Sequence, residues 1–388
     1  MKSLKKTTLA SLVGAAALAT AGAANATIVV GGENGYEFSV DGNINQFFVY
    51  TDDNTTGGEE VSEVRNGLLP TFFGFNVSAP EINGLKIGAR VSISPSTNGG
   101  SYVQGNDGSM EQREAFATID GSFGQILAGK ALGLYGSHNI LTEQTLYGVG
   151  YGTTGNLQTT LGGIGLGYDY ASWRSQFRWT SPDMNGFKVA FAVVDPEGPA
   201  LANLGGAGPT GPISVASAKP DSEDLRYEAD LSYAGAFDNG SYMLWLSGMS
   251  QDQDDLAEDA RAWTVGGTLK VSGFEFMAQY SDSENAYSST LDAEWEQFVV
   301  QAGYRFAGTT LVSVNYSELE DKEVANSAAA GGLSPASLSD DTAERITLGV
   351  YHDVNANLKL VAEYTKVEHD DDELLDQDIF GIGGFVTW

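Results

Sequence analysis

Apolar and polar residues alternate one for one along this chain in segments of about 8 to 12 residues, the length a tilted strand needs to cross an outer membrane. In the first segment Phe38, Val40, Ile44, Phe48 and Tyr50 share one parity, while Ser39, Asp41, Asn43 and Asn45 share the other. Successive side chains of a strand point to opposite faces, so such a segment has one apolar face and one wet face. The pattern returns in Leu85, Ile87, Ala89, Val91 and Ile93 against Lys86, Gly88, Arg90, Ser92 and Ser94. It returns again in Phe177 and Trp179 against Arg174, Gln176 and Arg178, and in Phe298, Val300, Ala302 and Tyr304 against Gln297, Gln301 and Arg305. About sixteen such segments are countable, and no 3.6-residue periodicity competes over any long stretch. The expected fold class is all-β: a transmembrane antiparallel β-barrel.

The connections are sorted by length, which a soluble sandwich has no reason to do. Short ones at 79–84, 120–124, 181–186, 234–240, 270–273, 307–309 and 353–357 carry the Gly, Asn, Asp or Pro of tight turns. Long ones at 52–64, 95–110, 131–172, 195–223, 250–260, 282–294, 318–342 and 367–377 lie between them. Short periplasmic turns alternating with long external loops produce this order.

The N-terminus reads as an export signal. Lys2, Lys5 and Lys6 precede an apolar run from Leu9 to Ala24, and Ala24, Asn25 and Ala26 form a small-residue cleavage site. Residues 1–26 are therefore expected to be removed before Thr27, leaving 27–388 as one barrel domain. After Ala26 no apolar run approaches the roughly 20 residues of a membrane-spanning helix. Loss of three lysines and no acid takes the net charge from −31 to −34. Such a surface repels nucleic acid, and the absence of cysteine excludes disulfides, thiolate metal sites and cysteine nucleophiles.

Four stretches resemble the sixteen-stranded, usually trimeric general diffusion porins of Gram-negative bacteria. The first is Phe73, Gly74 and Phe75 leading through Pro80, Glu81, Ile82, Asn83 and Gly84. The second is Arg113 to Ala117, followed by Phe123, Gly124, Gln125, Ile126 and the Gly129, Lys130 pair. The third is Arg174 to Trp179 running into Ser181, Pro182, Gly186 and Phe187, and the fourth is the terminal strand from Phe380 to Trp388. The resemblance implies an outer-membrane channel for passive diffusion of ions and small hydrophilic solutes. It also implies a homotrimer, a long third loop folded into the lumen, lipopolysaccharide as the surrounding lipid, and recognition of the Trp388 end by the outer-membrane assembly machinery. Asp120, Lys130 and Trp388 stand where Leu, Arg and Phe are commoner, and the third loop lacks the family's acidic P-E-F-type element.

A pore sorts ions where polar groups face its narrowest part between low-dielectric walls. By parity Arg90, Arg113, Arg174 and Arg178 face inward, and Lys130 joins them by resemblance. These five are the expected basic wall of the constriction. The third loop, 131–172, offers only Glu143 and Asp169 as acids and is rich in Gly, Leu and Tyr. Most acids lie instead on external loops: Asp52, Asp53, Glu59 and Glu60; Asp252, Asp254, Asp255, Glu258 and Asp259; and Asp370 to Glu373 with Asp376. None has EF-hand spacing, so no metal site is assigned and no cofactor is implied. With three histidines and no G-x-S-x-G, H-E-x-x-H or phosphate loop, an enzyme is not expected. The alternatives are a substrate-specific channel for anions or sugars, and a secreted acidic β-rich adhesin, which would leave the sorted loops unexplained.

Overall fold

The computed structural model describes residues 27–54, 60–97, 110–152, 159–196, 207–208, 211–212, 225–252, 259–286, 293–324, 342–370 and 376–388. Residues 1–26 and many of the external-loop acids, including Glu59, Asp254 and Asp371, lie outside them.

Sixteen strands form a closed antiparallel barrel. They are β1 (Glu37–Asp53), β2 in two pieces (Val61–Arg65 and Phe72–Ser78), β3 (Lys86–Pro95), β4 (Ala115–Gly121), β5 (Gly124–Leu132), β6 (Trp173–Thr180), β7 (Phe187–Val194) and β8 (Arg226–Phe237). The second half comprises β9 (Gly240–Gln251), β10 (Ala260–Val271), β11 (Phe274–Glu284), β12 (Ala293–Phe306), β13 (Thr310–Val324), β14 (Thr342–Asn355), β15 (Leu358–His369) and β16 (Gln377–Thr387). Each strand pairs with its sequence neighbours, and β16 returns to β1 with Asn43 opposite Thr387 and Asp53 opposite Gln377. Closure leaves no long sheet edge unpaired, which a lipid environment demands because it offers backbone groups no water.

The last residue completes the seam. Trp388 exchanges two backbone hydrogen bonds with Gly42, of 3.0 and 3.1 Å, and its ring packs 5.0 Å from Phe73. A Cβ at position 42 would sit 2.6 Å from the indole, so only glycine admits it.

Alternation sets the two faces as expected: Phe48, Val91, Phe177, Leu246 and Leu348 are exposed outward, and Asn43, Arg90, Gln176, Ser247 and Thr347 are buried inward. Outward rings gather near the short turns, where Phe274, Tyr304 and Phe306 stack edge to face, and near the long loops, where Trp263 meets Tyr280 and Phe298 meets Tyr316. Two aromatic girdles around an apolar belt match the two interfaces of a bilayer.

Several strands run further than alternation predicts. The 234–240 connection shrinks to two residues between Phe237 and Gly240, and β13 continues to Val324. Beyond the apolar belt both faces are polar, so hydropathy fades while the hydrogen-bond ladder persists. Tight turns use paired left-handed residues, as at Asn185 and Gly186 (φ 60° and 92°), the geometry that matches strand twist.

Candidate functional site

The third loop occupies 133–172, between β5 and β6, and carries a short helix, α1 (Ser137–Thr142), and a 3₁₀ turn at Gln144–Tyr147. Its polar groups are met, one after another, by inward residues of the far strands. Going out, the Leu134 and Tyr135 amides donate to Glu228 of β8 at 2.7 and 3.2 Å, and Asn139 accepts from Trp245 of β9 at 2.9 Å. Next the Gln144 amide donates to Gln301 of β12, and Val149 and Gly150 donate to Glu363 of β15 at 2.6 and 2.9 Å. A Cβ on Gly148 would lie 1.7 Å from the Glu363 carboxylate, so the loop can approach the wall this closely only with glycine there. Coming back, Arg345 of β14 donates to the Gly162 carbonyl at 2.6 Å, Ser317 of β13 to Leu166 at 2.5 Å, and Gly167 donates to Gln297 of β12 at 3.0 Å. The loop therefore lines the inner face of β8 through β15, out and back.

Residues 66–71, which interrupt β2, pin the loop from the other side. The Leu68 amide donates to Gly148 at 2.9 Å, Thr160 donates to Gly67 at 3.2 Å, and Leu68 packs with Ile140, Leu146, Leu161 and Ile164.

Both predicted loop acids are structural anchors. Asp169 is buried and accepts from Tyr135 (2.5 Å), Trp295 (2.9 Å), Gln297 (2.7 Å) and Ser283. Burial pushes its carboxyl above the usual range, and these four hydrogen bonds hold it down in part. Glu143 is equally buried, accepts from Asn315 at 2.6 Å and lies 3.7 Å from Arg345. Neither is presented as an open charge to the lumen.

The predicted cations separate into three groups. Arg90 is closed within the wall by Asp41 and Glu114, each at 2.7 Å, and by Asn76 at 2.9 Å. Arg174 is likewise buried in the wall. Arg113 and Arg178 line a cavity of about 290 Å³ between the third loop and strands β5 to β9. Lys130 departs from expectation: it pairs with Ala115 and Ser175, while the inward Gln176 and Arg174 pair with Gly129 and Ala131. The register turns Lys130 to the outer face, and the small residues Ala128, Gly129 and Ala131 hid that parity in the sequence.

The sequence profile of the Gram-negative porins matches residues 11–372, nearly the whole chain. The chain belongs to the Gram-negative porin family. Among curated proteins no sequence matches this porin. Its fold is similar to that of the anion-selective porin from Comamonas acidovorans, with TM-score 0.62 and 15% identity, covering 91% of this chain and 100% of that one. It is also similar to OmpT of Vibrio cholerae (TM-score 0.57, 13% identity, 93% and 100% covered) and to Salmonella typhi OmpF in complex with daunomycin (0.60, 15%, 91% and 98%).

Sequence reasoning passed over several residues of this porin's interior. Lys188 of β7 faces inward on the cavity with Arg113 and Arg178, and its parity was legible from Phe187, Val189 and Phe191 on the outer face. Arg345 and Glu363, which hold the third loop, sit at inward positions of clear strands, yet nothing local reveals a partner some 200 residues away. Nearer the short turns, Lys270, Glu275, Arg305, Asp353 and Lys359 form a chain of ion pairs along the inner wall, beginning at 3.1 Å and 2.5 Å.

Proposed function

We propose that this outer-membrane channel passes ions and small hydrophilic solutes by diffusion and filters them by size and charge at the third loop. The observation that carries the reading is the asymmetry around the loop. One side is anchored to β8–β15, with its acids consumed as anchors. The other side leaves a gap faced by three cations, Arg113, Arg178 and Lys188, against two carboxylates, Glu114 and Asp230, the first of which is paired with Arg90. Arg113 pairs with Glu111 at 2.7 Å, whereas Arg178 and Lys188 have no carboxylate within 4.0 Å among the described residues. Fixed positive charge in a narrow, low-dielectric passage favours anions over cations, whatever the net charge of the chain. A reversal-potential measurement under a KCl gradient tests this. An anion-side potential supports it, and a strongly cation-side potential overturns it.

The cleaved 1–26 signal, a homotrimer, lipopolysaccharide around the belt and recognition of the Trp388 strand by the assembly machinery belong to the same proposal. The trimer is supported by a similar OmpT structure described in trimer form. Mass of the folded protein before and after boiling tests both processing and trimerisation.

A further inference from the structure

The gap beside the third loop is built mainly of hydrocarbon, which a filter for inorganic ions does not need. Leu132, Ile140, Leu141, Leu161, Trp173 and Met243 all line it, contributed by the loop, by the strand ends that carry it and by β9. The cations come from Arg113 on the approach to β4, Arg178 of β6 and Lys188 of β7. Two carboxylates also line the cavity: Glu114 is paired with Arg90 at 2.7 Å, while Asp230, whose Oδ2 lies 3.2 Å from His138 without a hydrogen bond, stands as one acid against Arg113, Arg178 and Lys188. Arg178 donates to the Leu132 carbonyl at 3.3 Å, and its Nε is buried without an acceptor. A half-buried guanidinium whose buried Nε has no acceptor is an unusual thing to leave against leucines, because buried donors are ordinarily hydrogen-bonded.

We propose that this cavity is a binding station for organic anions with an apolar body, such as an aromatic or alicyclic carboxylate. The carboxylate meets Arg178 and Lys188, and the ring lies against Leu141, Leu161 and Met243. A cavity of about 290 Å³ accommodates one such solute, and its mix of apolar lining with a few polar groups is the usual construction of a small-molecule site. Chloride or acetate would meet the cations but gain nothing from the hydrocarbon. A neutral solute of the same shape would gain the hydrocarbon and leave the cations unmet. Each methylene buried is worth about fourfold in affinity, so a ring adds at least about tenfold over acetate.

The inference rests on the channel reading above, and the experiment separates the two. Saturation-transfer NMR on the folded protein in lipid nanodiscs measures binding of benzoate, cyclohexanecarboxylate, acetate and benzyl alcohol, while planar-bilayer currents in KCl report the pore. Benzoate and cyclohexanecarboxylate are expected to bind at least about tenfold more tightly than acetate and benzyl alcohol. Lys188→Gln should erase the advantage over benzyl alcohol, and Met243→Asn the advantage over acetate, both in protein whose unboiled gel mobility shows it folded. Acetate binding as well as benzoate, benzyl alcohol binding as well as benzoate, or indifference to both substitutions overturns the station while KCl conductance leaves the pore standing. Absence of KCl conductance overturns the pore and, with it, a station on its path.

Discussion

Asp169 of the third loop accepts a 2.7 Å hydrogen bond from Gln297 of β12, and Gln297 in turn accepts one of 3.0 Å from the Gly167 amide. One wall residue thus holds two points of the loop, and the loop's own acid completes the clamp with Tyr135, Trp295 and Ser283. A buried acceptor with four donors around it is costly to remove, because each orphaned donor loses about 1–3 kcal/mol. Asp169→Ala should lower the stability of the folded barrel by about 3–5 kcal/mol, read as an earlier midpoint in denaturant-induced loss of the fast-migrating folded form. Single-channel currents of the same variant should be noisier, since the return arm of the loop is released.

The Asp169 carboxyl also makes a pH prediction. Its folded value is raised by burial, so between the ordinary carboxylate range and that raised value the native state holds a proton that the unfolded chain has lost. Stability from this group is therefore fully present below the ordinary range and declines as pH rises through the window to the raised value. Asp169→Asn should flatten that part of the profile, as measured by denaturant midpoints across mildly acidic pH; a steeper slope in the variant would refute the assignment.

Arg345 is fully buried and spends its guanidinium on Gly162 (2.6 Å), Asn315 and Ser317 (both 3.0 Å), with Glu143 at 3.7 Å. Arg345→Gln leaves Glu143 buried without its nearest cation, a loss of about 3–5 kcal/mol. Combining it with Glu143→Gln should recover part of that loss, and a double-mutant cycle in denaturant measures the coupling.

Selectivity should follow the face each cation occupies. Arg178→Gln and Lys188→Gln are expected to move the reversal potential toward cations. Lys130→Gln, on the outer face, should leave it within error. A shift from the Lys130 change as large as from Arg178 would show the register to be wrong.

At the seam, Gly42→Leu forces a side chain into the Trp388 ring and the Phe72 carbonyl, 2.6 and 2.5 Å from the new Cβ. The expected result is a reduced folded fraction in the membrane, seen as loss of the heat-modifiable band, with partial recovery when Trp388→Ala is added.

The barrel was legible because a strand's two faces write themselves locally. Phe38 through Tyr50, or Phe298 through Tyr304, declare inside and outside without reference to any other part of the chain. Parity likewise placed Arg90, Arg174 and Arg178 on the inner face, where they are found. At Lys130 parity was silent, because small neighbours carry too little hydropathy to show which way the ladder faces, and the register overturns the inward placement that the family resemblance implied. Parity also could not tell a lining charge from a consumed one: Arg90 and Arg178 have the same parity, but only the first meets Asp41, which stands on another strand 49 residues earlier.

Residue order alone, then, determined a closed antiparallel barrel, its strand number, the sorting of its loops and the family to which it belongs, because alternation and turn chemistry act over a few neighbouring residues. Which charges face the pore was decided by tertiary structure. Asp169, Glu143, Arg345 and Glu363 became anchors of the third loop, and Arg113, Arg178 and Lys188 came to share one cavity, through contacts between segments far apart in the chain. A buried charge takes its role from whatever closes around it, and that depends on how the barrel is closed.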